Sequence, residues 1–299
     1  MLQSRLKGDK IKPLNATYER MKHLNIDELI KFHLVFDDLK FEGAYYDVFE
    51  AIECEILANF KSLMPRFYFA NDTDKAVKKA LIKLANGDRK RLSIHKVLPQ
   101  TLAKKVYAEL FSKDFLLIEK SRETQPIKKK HQQLKKVERR YKKDDKVHFN
   151  SHFSRFWFKF IEPNLSLLKS GDNKKLMQII KSEFDEYASL GFEILSGELI
   201  AKEFGIDKIL FTSFWQRGLE VDILFKFKDK IIIGEAKYKE RKVCKNVLNL
   251  MLYKCDKLGI KPDIIAIFSK SGFSNELKNL KDDRIRLYGL SEFERLLNG

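Results

Sequence analysis

The sequence predicts an α+β protein of more than one domain, in which a helical N-terminal region precedes an α/β domain with a mixed central sheet. Three observations predict this class. The 299 residues exceed the length of an average domain, which is roughly 150 residues. Apolar residues recur at three- and four-residue steps early in the chain, whereas helical and strand-like stretches alternate after residue 183. A composition with 44% hydrophobic and 12% aromatic residues excludes a disordered chain.

The net charge of +17 is concentrated in the middle of the chain. Residues 1–70 carry 10 basic and 11 acidic side chains, residues 71–182 carry 29 and 12, and residues 183–299 carry 20 and 19. A concentrated positive field attracts polyanions, chiefly nucleic acid. The charge distribution therefore indicates a polyanion as the partner of the middle segment, with nucleic acid favoured over an acidic membrane surface.

Residues 1–70 are the predicted helical N-terminal region, and no chemistry is assigned to them. Apolar side chains between residues 27 and 64 follow the helical period, among them Leu29, Phe32, Phe36, Leu39, Val48, Ile52, Ile56 and Phe60. The run from Lys61 to Asp74 contains Pro65 and a polar Asn-Asp-Thr-Asp cluster, which is typical of a linker that ends at a helix N-cap.

Residues 71–125 show the element order of a winged helix-turn-helix. The predicted elements are a helix, a short helix, a longer helix and a strand, at Ala76–Ala85, Ile94–Val97, Leu98–Phe111 and Phe115–Ile118. Lys104 and Lys105 lie off the apolar face of the longer helix, so they are candidate DNA contacts. A small helical subdomain with a solvated basic face is the alternative interpretation.

Residues 126–182 are predicted to form a basic and aromatic helical connector. Residues 121–147 hold 11 basic and 4 acidic side chains. The candidate phosphate contacts are Lys128, Lys129, Lys130, Lys135, Lys136, Arg139, Arg140, Lys142 and Lys143. A solvated charge run without function is the alternative. In the aromatic stretch that follows, Phe153, Trp157 and Phe160 share helical spacing, which favours a core stripe over base stacking.

After residue 183 the pattern becomes that of an α/β domain. Its predicted order is a helix, three strands, a helix, two strands and a last helix: Phe184–Phe204, Lys208–Trp215, Gly218–Phe227, Ile231–Lys239, Val243–Leu258, Asp263–Ser269, Ile285–Tyr288 and Ser291–Leu297. A hairpin around Lys228-Asp229-Lys230 makes the second and third strands neighbours.

The hairpin decides whether two acidic residues meet. Glu235 and Lys237 share one face of their strand, because strand side chains repeat every two residues. An even loop of two or four residues places Asp222 beside or opposite Glu235, whereas a three-residue loop without a bulge separates them. Carboxylates that meet need a cation between them, and hard oxygen ligands favour Mg²⁺ or Mn²⁺. An ammonium beside such a metal can orient the attacking water, so the three residues would hydrolyse a phosphodiester.

These residues resemble the PD-(D/E)XK nuclease superfamily. The pattern is Glu220-Val221-Asp222, twelve further residues, and then Glu235-Ala236-Lys237, with Val221 in place of the proline. The resemblance implies a restriction-endonuclease-like domain over residues 183–299. It also implies that Asp222, Glu235 and the Ala236 carbonyl bind metal and that Lys237 is the catalytic lysine. Glu193, which has Leu190, Gly197 and Ile200 at helical steps, would be the helical acid.

About half of the chain resembles a more specific group. The stretch from Phe153 to Asn164, Tyr187 and Gly191-Phe192-Glu193 resemble the C-terminal domain that follows a winged helix in archaeal-type P-loop ATPases. Gly-x-x-x-x-Gly-Lys-Ser/Thr occurs nowhere in this sequence, so nucleotide hydrolysis is not expected. The resemblance leaves a separately encoded ATPase and a homodimer open as partners.

The leading hypothesis is therefore a Mg²⁺-dependent deoxyribonuclease that acts on double-stranded, single-stranded or branched DNA. A non-catalytic DNA-binding protein is the alternative, and a solvated sheet edge would explain the acidic residues without a site. Gln216 and Arg217, together with Lys239, Arg241, Lys242 and Lys245, are either further phosphate contacts or ordinary surface residues.

Sequence features also predict where the protein acts. No stretch approaches the roughly 20 apolar residues of a membrane span, and the start of the chain lacks the apolar core of a signal peptide. Cys54, Cys244 and Cys255 are scattered and lack metal-binding spacing. We expect a cytoplasmic protein that does not contact membranes.

Overall fold

The computed structural model describes residues 12–70, 72–123, 143–206, 211–216 and 218–298. It confirms an α+β protein with a mixed sheet. The chain divides into two compact units. The helical unit comprises Met1–Ile118, Val147–Gly191 and Leu297–Gly299, and the sheet unit comprises Glu119–Lys146 and Phe192–Leu296. The division into four parts remains a prediction.

The helical unit is built from α1 to α8, at Leu14–Tyr18, Ile26–Phe36, Val48–Ala51, Phe60–Leu63, Asp74–Ala85, Gln100–Ser112, His152–Phe156 and Leu165–Lys169. Its 3₁₀ and π turns are Ile52–Leu57, Met64–Phe67, Arg91–Lys96, Trp157–Ile161 and Glu162–Asn164. The long helix α9, Asn173–Glu203, contributes its residues up to Gly191. The predicted short helix near residue 95 is thus a 3₁₀ turn.

The core of the helical unit contains a dense group of aromatic side chains. Phe153, Trp157 and Phe160 are almost completely buried, which confirms the predicted core stripe. The ring of Phe67 stacks on the indole of Trp157 with 4.6 Å between centroids. Offset ring pairs of this kind add to the free energy gained by burying apolar surface.

A buried polar network joins α2 to α7 in this unit. The Asp37 carboxylate accepts the backbone N–H groups of His152 at 2.8 Å and Phe153 at 2.9 Å. The Tyr187 hydroxyl donates to the Leu34 carbonyl at 2.6 Å. His33 lies beside His152, with 5.2 Å between ring centroids. Buried polar groups of this kind fix side-chain packing only when they are hydrogen-bonded.

Strands β1, Leu116–Glu119, and β2, Lys146–Phe149, form a two-stranded sheet. In the sheet unit, β3, Phe214–Gln216, pairs antiparallel with β4, Leu219–Val221. The main sheet has the order β5, β6, β7, β8, with strands at Ile223–Phe227, Lys230–Lys237, Ile264–Ser269 and Ile285–Tyr288. The β5 and β6 strands are antiparallel, and the remaining pairs are parallel.

Helix α10, Lys245–Leu258, covers one face of this sheet. It buries Leu248, Met251 and Cys255 in a cluster that also contains Ile233 and Ile265. Gly259 ends the helix in the left-handed conformation, with φ 65°. The short helix α11, Asn275–Lys278, and a 3₁₀ turn, Ser291–Leu296, complete the unit.

Several predicted elements differ from the structure. The predicted helix Phe184–Phe204 is the second part of α9, which begins at Asn173, and the predicted last helix Ser291–Leu297 is a 3₁₀ turn. The predicted strand Gly218–Phe227 is interrupted at Asp222, which belongs to neither β4 nor β5. The predicted helix from Val243 begins at Lys245, because Cys244 adopts the extended backbone of an N-cap. Residues 208–210 of the predicted strand Lys208–Trp215 lie outside the described residues. Within the described ranges, no helix has both the length and the apolar composition needed to cross a membrane.

Candidate active site

The β5–β6 hairpin has a two-residue loop. Phe227 pairs with Lys230, and Ile223 pairs with Gly234. This is the even case, so continuing the register by one residue places Asp222 opposite Glu235. The structure therefore brings together the two acidic residues whose meeting the sequence left conditional.

Asp222 is held at the break between β4 and β5. One carboxylate oxygen, Oδ2, accepts the backbone N–H of Ala236 at 2.9 Å. Burial raises the pKa of Asp222 well above its ordinary value, and the carboxylates of Glu193 and Glu235 raise it further. The Ala236 hydrogen bond and the Lys237 ammonium oppose that shift. Asp222 thus stands where negative charge is poorly tolerated unless a cation is present.

Glu193 reaches the same site from helix α9. Its position in a continuous helix agrees with the prediction, and its side chain is partly buried. Its charge acts on both Asp222 and Lys237. We call Glu193, Asp222 and Glu235 the acid cluster.

Glu235 is almost completely buried and accepts hydrogen bonds from two ammonium groups. Its side chain lies on β6 with 4% of the residue surface exposed. Lys237 Nζ donates to Oε1 at 2.7 Å, and Lys254 Nζ donates to Oε2 at 2.8 Å. Each carboxylate oxygen therefore has its own cationic partner.

Lys254 is the residue of this site that sequence reasoning missed. It lies on α10, three residues after the buried Met251 and next to the buried Cys255, so it belongs to the face that covers the sheet. Its side chain is 13% exposed. A lysine on the apolar face of an amphipathic helix was the available signal, because a buried ammonium needs a carboxylate partner.

The acid cluster keeps Lys237 protonated. Burial lowers the pKa of Lys237, but the neighbouring Glu235 carboxylate and then Asp222 and Glu193 outweigh burial and raise it. The side chain is therefore an ammonium at neutral pH. It can orient or electrostatically stabilise a reacting group, but it does not act as a base in this state.

The donor set fits a hard divalent cation. Asp222 and Glu235 present carboxylate oxygens, the ligands that Mg²⁺ and Mn²⁺ prefer, and their mutual repulsion would be relieved by a cation. No group of three or more His, Cys, Asp or Glu side chains in the described ranges is already arranged around a metal position. An ion at Glu235 would compete with its two ammonium partners for the carboxylate oxygens. The metal role of the Ala236 carbonyl remains a prediction.

The predicted nucleic-acid contacts fall on two parts of the chain, helix α6 and the basic run. Lys104 and Lys105 are exposed on α6. Lys143 donates to the Glu123 carbonyl at 3.0 Å. Arg217 lies outside the described residues. So do the other members of the basic run, which are Lys128, Lys129, Lys130, Lys135, Lys136, Arg139, Arg140 and Lys142.

The two described ends of the basic run, residues 121–123 and 143–146, make hydrogen bonds and ion pairs within the sheet unit. These ends are called its flanks. Arg122 donates to the carbonyl of Thr212 at 2.8 Å. The Trp215 indole N–H donates to the Asp144 carbonyl at 3.0 Å. Lys146 lies over the Trp215 ring at 4.2 Å and pairs with Glu220, two residues before Asp222. The flanks of the most basic segment and the acid cluster therefore belong to the same unit, although they are far apart in the sequence.

Comparison with known proteins gives one family match. Residues 157–247 match the model of DUF234, a family described as archaeal and bacterial proteins of unknown function. The matched range contains Glu193, Asp222, Glu235 and Lys237 and ends before Lys254. No curated protein and no solved structure matches the chain. The chain is thus similar, over the part that carries the acid cluster, to a family without an assigned activity.

Proposed function

We propose that the protein is a metal-dependent nuclease of the PD-(D/E)XK type that binds DNA and hydrolyses its phosphodiester bonds. The observation that carries the proposal is the hairpin register, which brings Asp222 opposite Glu235 while α9 supplies Glu193. Carboxylates concentrated at one buried place lower stability, so their presence together favours a functional site.

The order of elements supports the same proposal. A helix bearing Glu193 precedes antiparallel strands, and helix α10 then connects β6 to the parallel strand β7. The residue pattern of the sequence predicts the same order of a helix, strands, a helix and a further strand. A fold of this kind can serve other functions, so cleavage requires the side chains of the acid cluster and Lys237 as well as the scaffold.

The chemistry follows from the positions of the side chains. Asp222 and Glu235 would hold Mg²⁺ or Mn²⁺, which when bound supplies positive charge that stabilises the developing phosphate anion and makes water more acidic. The Lys237 ammonium would stabilise or orient the attacking water or a phosphate oxygen. Glu193 would complete the negative pocket.

The DNA-binding part of the proposal depends on the helical unit and the basic run. Helices α5 and α6, the 3₁₀ turn Arg91–Lys96 and strands β1 and β2 follow each other in the order of a winged helix. Lys104 and Lys105 are exposed, and no carboxylate of the described residues pairs with either. Such lysines are available for phosphate contacts, which contribute affinity without sequence preference.

A second candidate function is a DNA-binding protein that does not cleave. The observation that favours it is the double ion pair of Glu235, because Lys237 and Lys254 each neutralise its charge at one oxygen without a metal ion. In that case, the nuclease-like unit would serve as a platform for a second copy of the chain or for a separately encoded ATPase.

A cleavage assay with matched variants distinguishes the two functions. The purified full chain is incubated with plasmid, single-stranded and branched DNA in Mg²⁺, Mn²⁺ or EDTA. We expect metal-dependent cleavage that Asp222→Asn and Glu235→Gln each reduce by about 100-fold or more. Asp263→Asn is the control, because Asp263 also accepts a backbone N–H in this unit, that of Ile231 at 2.7 Å. Cleavage that survives Asp222→Asn would refute the site, and DNA binding without cleavage would favour the second function.

A further inference from the structure

The loop that follows β6 is fixed at the edge of the sheet where the acid cluster lies. Because β6 and β7 are parallel, the loops after them emerge at the same edge. The Ser271 hydroxyl donates to the Lys239 carbonyl at 2.7 Å, and the Val243 N–H donates to the Gly272 carbonyl at 2.9 Å. This edge carries Glu235 and Lys237, so the loop begins directly beside the site.

Three cations of this loop face solvent and pair with no acidic side chain that the structure describes. Lys239, Arg241 and Lys242 are exposed. No carboxylate in the described part of the chain forms an ion pair with them. Glu240, the acidic residue between them, pairs with Lys270 instead. The positive charge of the loop is therefore available to a ligand.

The other end of β6 offers a natural comparison. Lys226, Lys228 and Lys230 are exposed at the hairpin end and also have no ion-pair partner among the described residues. The eight residues of β6 separate the two ends, a distance of about 23 Å for extended strand. The strand thus has three exposed cations near each end, but the acid cluster lies at only one end.

We propose that Lys239, Arg241 and Lys242, here called the loop cations, bind the phosphate backbone of nucleic acid and hold it against the acid cluster. This inference rests on the proposed function. The three carboxylates of the acid cluster outnumber the two ammonium groups of Lys237 and Lys254 that bind Glu235. Fixed positive charge beside the cluster would therefore help to hold a polyanion there. The loop cations supply that charge on a loop whose backbone is anchored at the same edge.

The test compares two triple variants of the full chain. One carries Lys239→Ala, Arg241→Ala and Lys242→Ala, and the control carries Lys226→Ala, Lys228→Ala and Lys230→Ala. Both remove three positive charges from exposed positions of the same unit. Affinity for a fluorescent 20-base-pair duplex and for a single strand is measured between 50 and 300 mM salt in EDTA, which prevents metal-dependent cleavage.

We expect the loop variant to lose about 10-fold or more in affinity at 100 mM salt, and its salt slope to fall by about 2 to 3. The control should change the slope by less than about 1. A third variant, Lys239→Arg, Arg241→Lys and Lys242→Arg, should restore binding. Equal losses in both triple variants, or no loss in the loop variant, would overturn the inference while the parent protein still binds and cleaves DNA. A parent protein that binds no nucleic acid at low salt would overturn the proposed function as well.

Discussion

Replacing Asp222 by asparagine should stabilise the metal-free sheet unit while it removes cleavage. The Asp222 carboxylate is largely shielded from solvent and lies near the carboxylates of Glu193 and Glu235. Burial and those two charges both disfavour its ionised form. Asparagine has the same shape, and its Oδ1 can still accept the Ala236 N–H that now bonds to Asp222. The change therefore removes a charge without removing the hydrogen bond.

The expected gain in the free energy of unfolding of Asp222→Asn follows from the free energy of burying a polar or charged group. Leaving such a group poorly compensated costs about 1–3 kcal/mol, so Asp222→Asn should raise the free energy of unfolding in EDTA by about that amount. With Mg²⁺ at tenfold its dissociation constant, the wild-type protein should gain about 1.4 kcal/mol by linkage. The variant should gain little, because it has lost a ligand.

Urea unfolding monitored by tryptophan fluorescence measures both effects. The chain has two tryptophans, Trp157 in the helical unit and Trp215 in the sheet unit, so a Trp157→Phe background makes Trp215 the reporter. Asp263→Asn is the matched control and should change stability by less than about 0.5 kcal/mol in either buffer. A loss of stability for Asp222→Asn in EDTA, together with equal Mg²⁺ effects in both proteins, would refute the acid-cluster reasoning.

Two further predictions concern buried charge. Lys254→Met should destabilise the metal-free protein by about 3 kcal/mol, because Glu235 loses a buried partner. The same change should tighten Mg²⁺ binding, measured by calorimetric titration, because it removes an ammonium that competes with the ion. Burial, above all, lowers the pKa of His33 and His152 to about 3. As the pH falls below 6.5, these imidazoles become protonated in the unfolded chain but stay neutral in the folded chain. Each of the two histidines should therefore lower the free energy of unfolding at pH 5 by about 2 kcal/mol, which urea unfolding measures.

Each of these predictions has its own control. Lys254→Arg keeps the positive charge, so its effect on Mg²⁺ affinity should be small, and weaker Mg²⁺ binding by Lys254→Met would contradict the competition argument. For the histidines, His95→Gln serves as the comparison, because His95 is exposed on its 3₁₀ turn. Stability of the helical unit that stays constant between pH 7 and pH 5 would show that the two buried imidazoles do not govern its acid response.

Local patterns predicted much of this structure because helices and strands have short periods. The strand Ile285–Tyr288 has the predicted bounds, and Glu193 lies in a helix as its apolar neighbours indicate. The aromatic stripe from Phe153 to Phe160 is core. In each case the information lies within a few residues, since side chains on one face repeat every two or every three to four residues.

Contacts between distant segments were not available from such patterns. Lys254 meets Glu235 only because α10 folds back on the sheet. The flanks of the basic run lie beside Glu220 only because Arg122 and Lys146 bind residues near β3 and β4. Neither relation has a local signature, because each depends on how whole elements pack.

The sequence by itself determined the α+β class, the location of the positive charge and the identity of the candidate acidic residues. It left two outcomes for Asp222 and Glu235, because Lys228-Asp229 is not a turn pair that specifies a loop length. The tertiary structure decided between them. Lys228 adopts a positive φ of 52°, the loop closes with two residues, and the register follows from that closure. Strand pairing has a period of two, so one residue more or less in that loop would have placed the two carboxylates on opposite faces of the sheet.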